Sequence, residues 1–229
     1  MFKTEIELIN DTIYQEFVRD YLKNYTPQYF WEIGASSSGK YHPQFSQGEG
    51  GLVRHTKAVV KFAVELLKMS SYAYMPKEYH DFVIMACIMH DTCKYGMTEF
   101  NKDEYKNHAE NAAENVREAW FNFFGYECPW LLINAIQSHM GQWSTDRNNK
   151  PFTQIDRCVH LADYIASRNF IDIPELREGW TLSFFLAVRV RAHEPNFFLC
   201  GTSQIFRKIF RTKVKNLKLP NFILYWKEV

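Results

Sequence analysis

Cysteine pairs, long apolar runs, abundant glycine and a large net charge are all missing from this 229-residue chain. The five cysteines (Cys87, Cys93, Cys128, Cys158 and Cys200) are odd in number and scattered, with no CxxC pair. They read as reduced thiols and argue against a cysteine-based zinc site. No apolar run approaches the ~18–20 residues of a membrane span; the longest, Trp180 to Val188, is about half that. The N-terminus, Met1-Phe2-Lys3-Thr4-Glu5, lacks the charged and apolar regions of a secretory signal. The chain therefore reads as soluble and cytoplasmic. Ten glycines exclude a collagen-like or linker-rich chain, and a 46% hydrophobic content excludes disorder.

Charge is balanced overall, at a formal +1, but unevenly spread. From Ile205 to Val229 seven basic residues (Arg207, Lys208, Arg211, Lys213, Lys215, Lys218, Lys227) face Glu228 alone, so that segment is +6 and the remainder −5. Such a segment could meet phosphates, or it could be the solvated face of a C-terminal helix.

Apolar residues recur at helical spacing along most of the chain, and strand-type alternation is nearly absent. The pattern predicts an amphipathic helix over residues 4–24, with Ile6, Ile9, Ile13, Phe17 and Leu22 on its apolar face. A glycine- and serine-rich loop follows, from Gly34 through Gly51, long enough to carry a function. Further helices are predicted over 52–69, 77–94, 107–124, 129–140 and 154–168. Phe82 to Met89 is apolar on every side, which places that helix in the middle of a bundle. The expected architecture is all-α, a bundle with a core of five or more helices. One domain spans 1–229, with its core at about 34–170 and a helical extension at about 171–229.

Four of the eight histidines fall at or near ends of these helices: His55, His90, His108 and His139. His90 is followed at once by Asp91 where the greasiest helix runs out, and Asp163 sits in the largely apolar stretch Val159 to Ile165. Burying such polar groups is costly unless something binds them. Neutral imidazoles and carboxylates converging inside an apolar bundle make a transition-metal site. Asp91, lying between candidate ligands on both sides, is the natural bridge between two ions. The mixed donor set suggests iron, manganese, cobalt or nickel rather than magnesium. Lys94, four residues after His90 and three after Asp91, is expected on their side of the helix.

The ordered pattern His55 … His90-Asp91 … His108 … His139 … Asp163 resembles the HD superfamily of metal-dependent phosphohydrolases, over roughly residues 34–168. That resemblance implies a first metal held by His55, His90, Asp91 and Asp163, and a second held by Asp91, His108 and His139. It implies Asp91 and Lys94 as catalytic residues. His90-Asp91-Thr92-Cys93-Lys94 is similar to the family's HD-x-x-K signature, with Cys93 where glycine is commoner. Gly50-Gly51-Leu52-Val53-Arg54-His55-Thr56 and Ser138-His139-Met140-Gly141 resemble GGL-x-x-HT and SHHG stretches of the HD domain of bacterial 3′–5′ exoribonucleases, with Met140 replacing the second histidine. The N-terminal OB-like module of those enzymes has no room here.

Two ions about 3.5–4 Å apart would bind a hydroxide and the phosphate oxygens of the substrate together. The implied reaction is hydrolysis of a phosphoester of a nucleotide or of a single-stranded nucleic-acid 3′ end. Ser38, Lys40, His42, Arg54, Gln142, His160 and Arg168 are candidate substrate contacts, and an aromatic such as Trp120, Trp143 or Tyr164 could stack a base. Two other classes are compatible with the letters. Some members of the superfamily use the same six ligands as a di-iron oxygenase, and a non-catalytic nucleotide- or nucleic-acid-binding module would use the basic segment. Neither oligomeric state nor the identity of the metal follows from the sequence.

Overall fold

The computed structural model describes residues 1–36, 42–144, 146, 149–173 and 176. The basic segment, the Trp180 to Val188 run, Cys200 and most of the expected extension lie outside the described residues, as do Ser38 and Lys40. Among the described residues the chain forms eight α-helices and no strand: α1 (Lys3–Ile6), α2 (Thr12–Asn24), α3 (Gly51–Leu67), α4 (Ser70–Ala73), α5 (Lys77–Met89), α6 (His108–Phe124), α7 (Trp130–Ser138) and α8 (Gln154–Ala166). None is long and apolar enough to cross a membrane.

Helix α5 is central. Every side chain from Asp81 to Met89 is buried, and the helix packs against α3, α7 and α8. Helix α3 also lies along α8, and α7 along α6 and α8, so five helices enclose one apolar core. Pro76 precedes the first turn of α5, where its fixed φ and missing N–H suit a helix entry. Thr153 and Asp156 cap the start of α8 reciprocally, side chain to backbone in both directions. This T-x-x-D pattern satisfies N–H groups that a helix start leaves over.

The predicted 4–24 helix is broken at residues 7–11. Asp81, buried at the start of α5, accepts hydrogen bonds from the Asn10 and Asp11 backbone N–H groups and from the Asn10 amide. Backbone donors committed to a distant carboxylate cannot continue a helical ladder. Asp11 then caps α2 by accepting from Ile13 and Tyr14. The break turns Ile13 outward to 53% exposure, contrary to the expected apolar face, while Ile6, Ile9, Phe17 and Leu22 are buried. The predicted 77–94 helix ends at Met89, which changes how Lys94 reaches Asp91. The four described cysteines are all free thiols.

Candidate metal centre

Three of the clustered histidines share one local device. His90 ends α5, His139 ends α7, and His108 ends the 3₁₀ turn Lys102–Asn107 that leads into α6. A helix end leaves carbonyl oxygens without intrahelical partners. Each ring turns Nδ1 back to the carbonyl three residues earlier: His90 to Cys87 at 2.9 Å, His108 to Tyr105 at 2.6 Å and His139 to Ile136 at 2.7 Å. A carbonyl can only accept, so Nδ1 carries the proton in all three rings and Nε2 is left as a bare lone pair.

Those lone pairs meet around Asp91. Oδ1 of Asp91 faces His108 Nε2 at 3.3 Å and His139 Nε2 at 3.7 Å. Oδ2 faces Lys94 Nζ at 2.5 Å, His90 Nε2 at 3.6 Å and His55 Nε2 at 3.8 Å. Asp163 closes the second side, with Oδ1 3.0 Å from His55 Nε2 and 3.9 Å from His90 Nε2. One atom from each residue of the triplets His55/His90/Asp91, His90/His139/Asp163 and Asp91/His108/His139 lies within 4.8 Å of the others. All six side chains singled out in the sequence are brought together.

This arrangement fits a bound cation. His108 Nε2 and His139 Nε2 stand 3.1 Å apart with neither carrying a proton, so two lone pairs oppose each other. Two imidazoles bound side by side to one ion, with bonds of about 2.1 Å, bring their nitrogens to roughly 3 Å. Asp91 Oδ1, His90 Nε2 and both ring nitrogens of His55 are buried with no partner in hydrogen-bonding geometry. Unpaired buried polar atoms of this kind are uncommon and costly.

Protonation states agree with that reading. Burial lowers His90, His108 and His139 below the usual imidazole range, His139 to about 3. Burial also opposes charge on Asp91, but Lys94, then His90, His108 and His139, outweigh it and hold the carboxyl well below its usual range. For Asp163 burial is outweighed in the same direction by His55, then His90 and His139. Burial would strip the proton from Lys94, yet the Asp91 carboxylate more than compensates and raises it. His90, His108 and His139 are therefore neutral rings standing beside two carboxylates and one ammonium.

Lys94 reaches Asp91 by a turn beyond the end of α5, not along a helix face. That turn is pinned from the N-terminal part of the chain. The Tyr29 hydroxyl accepts from Tyr95 N–H at 2.9 Å and donates to Gly96 O at 2.5 Å. Tyr21 shares a 2.7 Å hydrogen bond with the Thr92 hydroxyl, which in turn donates to Met89 O. Sequence reasoning missed both tyrosines. Each partner lies some seventy positions away along the chain, so no local pattern could have pointed to them.

The candidate substrate contacts divide. His42 is brought to the centre: its ring stands edge-on to His55 with centroids 5.5 Å apart, and its buried Nδ1 has no partner. Burial, followed by the neighbouring His55 and Lys94, lowers His42 to about 3. Arg54 is spent elsewhere, donating to Phe45 O and Gln47 O and so holding the loop that precedes α3. His160 lies behind the centre, with Nδ1 2.7 Å from His139 O. Gln142 is exposed on the turn after His139. Arg168 lies across the rings of Tyr164 and Trp143. Trp120 is buried in the core, away from any base-stacking role.

Among curated proteins, dihydroneopterin 2′,3′-cyclic phosphate phosphodiesterase of Methanocaldococcus jannaschii is similar to this chain. It is 25% identical over 135 residues, 58% of this chain and 52% of the relative. The chain thus spans about half the length of that relative. No solved structure matches it. The HD domain model matches residues 52–168, just over half of the chain and a stretch that holds all six clustered side chains. With the histidine–aspartate doublet at its centre, the chain belongs to the HD domain family.

Proposed function

We propose that this protein is a metal-dependent phosphohydrolase that cleaves a phosphoester of a nucleotide or of a nucleic-acid 3′ end. The observation that carries the reading is the convergence of bare imidazole nitrogens and carboxylate oxygens on both sides of Asp91. The likeness to a phosphodiesterase whose named substrate is a 2′,3′-cyclic phosphate supports a phosphodiester as the bond attacked.

In this reading His55, His90, Asp91 and Asp163 would hold one divalent transition metal, and Asp91, His108 and His139 a second. When bound, such ions neutralise phosphate oxygens and bring the pKa of a coordinated water toward neutrality. The chain's own groups set the conditions for that chemistry. Helix-end carbonyls fix the three rings so that Nε2 faces inward, an outer support that typically changes metal affinity by about 10–100-fold when removed. Asp91 offers one oxygen to each side. Lys94 keeps Asp91 ionised and has N–H donors beyond the one given to Oδ2, which can meet a non-bridging phosphate oxygen. His42, neutral at physiological pH, can present a ring N–H to the same group. Ser38 and Lys40, which lie outside the described residues, are proposed as further phosphate contacts.

The test is elemental analysis of the purified protein, followed by assays with the metal found on 2′,3′-cyclic nucleotides, nucleoside monophosphates and 3′-labelled single strands. Hydrolysis of a phosphoester, lost in Asp91→Asn, is expected. Iron-loaded protein that consumes oxygen and hydrolyses none of these substrates would replace the reading with an oxygenase. Absence of bound metal at every loading condition would leave only a binding module.

A further inference from the structure

The turn after His139 and the end of α8 build a second feature beside the metal centre. Trp143 lies parallel to Tyr164, with ring centroids 5.3 Å apart and planes inclined by 14°. The Arg168 guanidinium lies over both rings, at 4.3 Å from the Tyr164 centroid and 5.4 Å from that of Trp143. Trp143 nevertheless remains 46% exposed. A large aromatic ring backed by Tyr164 yet still nearly half exposed is a stacking surface rather than a packed core residue.

This shelf is tied to the metal centre by the chain itself. Trp143 follows His139 by four residues and Tyr164 follows Asp163 directly, so both edges spring from clustered side chains. At a helical rise of 1.5–2.0 Å per residue, four residues cover only about 6–8 Å. His160 locks the junction: its Nδ1 is 2.7 Å from His139 O, and its ring stands 6.3 Å from both Trp143 and Tyr164. Gly141, at φ +55°, sits where a Cβ would overlap the His160 ring. The span between centre and shelf is therefore fixed.

Arg168 gives the shelf chemical character. Nε donates to Tyr164 O at 3.1 Å and Nη2 to Ser167 Oγ at 3.0 Å. A guanidinium carries five N–H donors, so most of its fork is uncommitted among the described residues. A donor fork beside a stacking face matches a ring whose edge presents acceptors. Guanine offers O6 and N7 together, whereas adenine pairs one acceptor with an amino donor.

We infer that Trp143, Tyr164 and Arg168 form a ring-binding subsite that holds the planar heterocycle of the substrate, with preference for an acceptor-edged ring of the guanine kind. The inference rests on the phosphohydrolase reading only for what lies at the other end of the substrate. Stacking holds the ring through Trp143, and Arg168 selects its edge.

Equilibrium dialysis of the full chain in chelator tests the subsite without turnover, using GMP, AMP and ribose 5-phosphate as probes. GMP is expected to bind more tightly than AMP, and both more tightly than the ring-free phosphate. Trp143→Ala should weaken GMP about tenfold or more and leave ribose 5-phosphate unchanged, as loss of one base stack does. Trp143→Phe should restore most of the difference, and Arg168→Gln should erase the preference for GMP over AMP. Equal affinity of Trp143→Ala and the unaltered protein for GMP would overturn the inference, as would ribose 5-phosphate binding as well as GMP. Ring binding in a protein that hydrolyses no phosphoester would sustain the subsite while sinking the catalytic reading.

Discussion

The two sides of Asp91 are built differently. On the Oδ2 side stand two imidazoles, a second carboxylate and an ammonium: His55, His90, Asp163 and Lys94. Among the described residues the Oδ1 side has only His108 and His139, whose Nε2 atoms face each other at 3.1 Å. A divalent cation on the Oδ2 side would meet two imidazoles and two carboxylates, one of them already paired with Lys94, whereas one on the Oδ1 side would meet two imidazoles and a single carboxylate oxygen. More donors of similar type hold an ion more tightly. The proposed first ion should thus be held through purification and the proposed second should exchange. The proposed binuclear centre would be asymmetric before any substrate arrives.

The comparison can be broken most forcefully at Asp91. Asp91→Asn removes charge from both sides, and phosphoesterase activity is expected to fall by about a thousandfold or more, with both metal equivalents lost. Retention of two tightly held metals by this variant, seen by elemental analysis after dialysis, would show that Asp91 is not shared.

A finer cut separates the sides. His139→Ala should lose roughly one metal equivalent and keep the other, whereas His55→Ala should weaken the tighter one. Metal titration of each variant checks the order, and equal loss from both would erase the asymmetry.

Lys94 tests the charge difference from within. Lys94→Gln leaves Asp91 buried with one cation fewer, and breaking such a pair costs about 3–5 kcal/mol in the metal-free state. Urea unfolding in chelator should show the drop, and added metal should recover part of it. A variant as stable as the parent in chelator would mean that the histidines alone balance Asp91.

Metal-free stability should also depend on pH. His42 and His139 have folded values near 3 against a usual 6.5, so between these limits the unfolded chain binds protons that the folded chain refuses. Stability is then fully present above about pH 6.5 and falls as pH drops toward 3, by at most about 1.4 kcal/mol per pH unit for each histidine. Asp91 and Asp163, held below their usual range, add a loss of the same sign at lower pH. A denaturation midpoint that rises on acidification from pH 7 to pH 5 would contradict this assignment of neutral rings.

Much of the architecture was legible because helix period and helix ends are local signals. The apolar stretch Phe82 to Met89 marked the central helix, and the histidines fell where helices run out. Their positions gave no hint of how the rings are oriented, because Nδ1 contacts with carbonyls appear only once the ends are built. Long-range decisions were hidden. Asp81 breaks the first helix by capturing backbone groups some seventy residues away, and Ile13 is exposed as a result. Arg54 resembled a phosphate clamp by proximity to His55, yet two carbonyls of the preceding loop claim it. A residue's neighbours in sequence say what it could bind; the three-dimensional competition for its donors decides what it does bind.

The Tyr29 clamp carries a practical consequence. The HD domain match begins at residue 52, downstream of Tyr21, Tyr29 and the Ser46 carbonyl against which Gly51 packs. A fragment begun at Leu52 would retain every proposed ligand and lose the struts that seat Asp91 and Lys94. Boundaries chosen by family similarity alone would yield a protein with the right donors in a slackened frame.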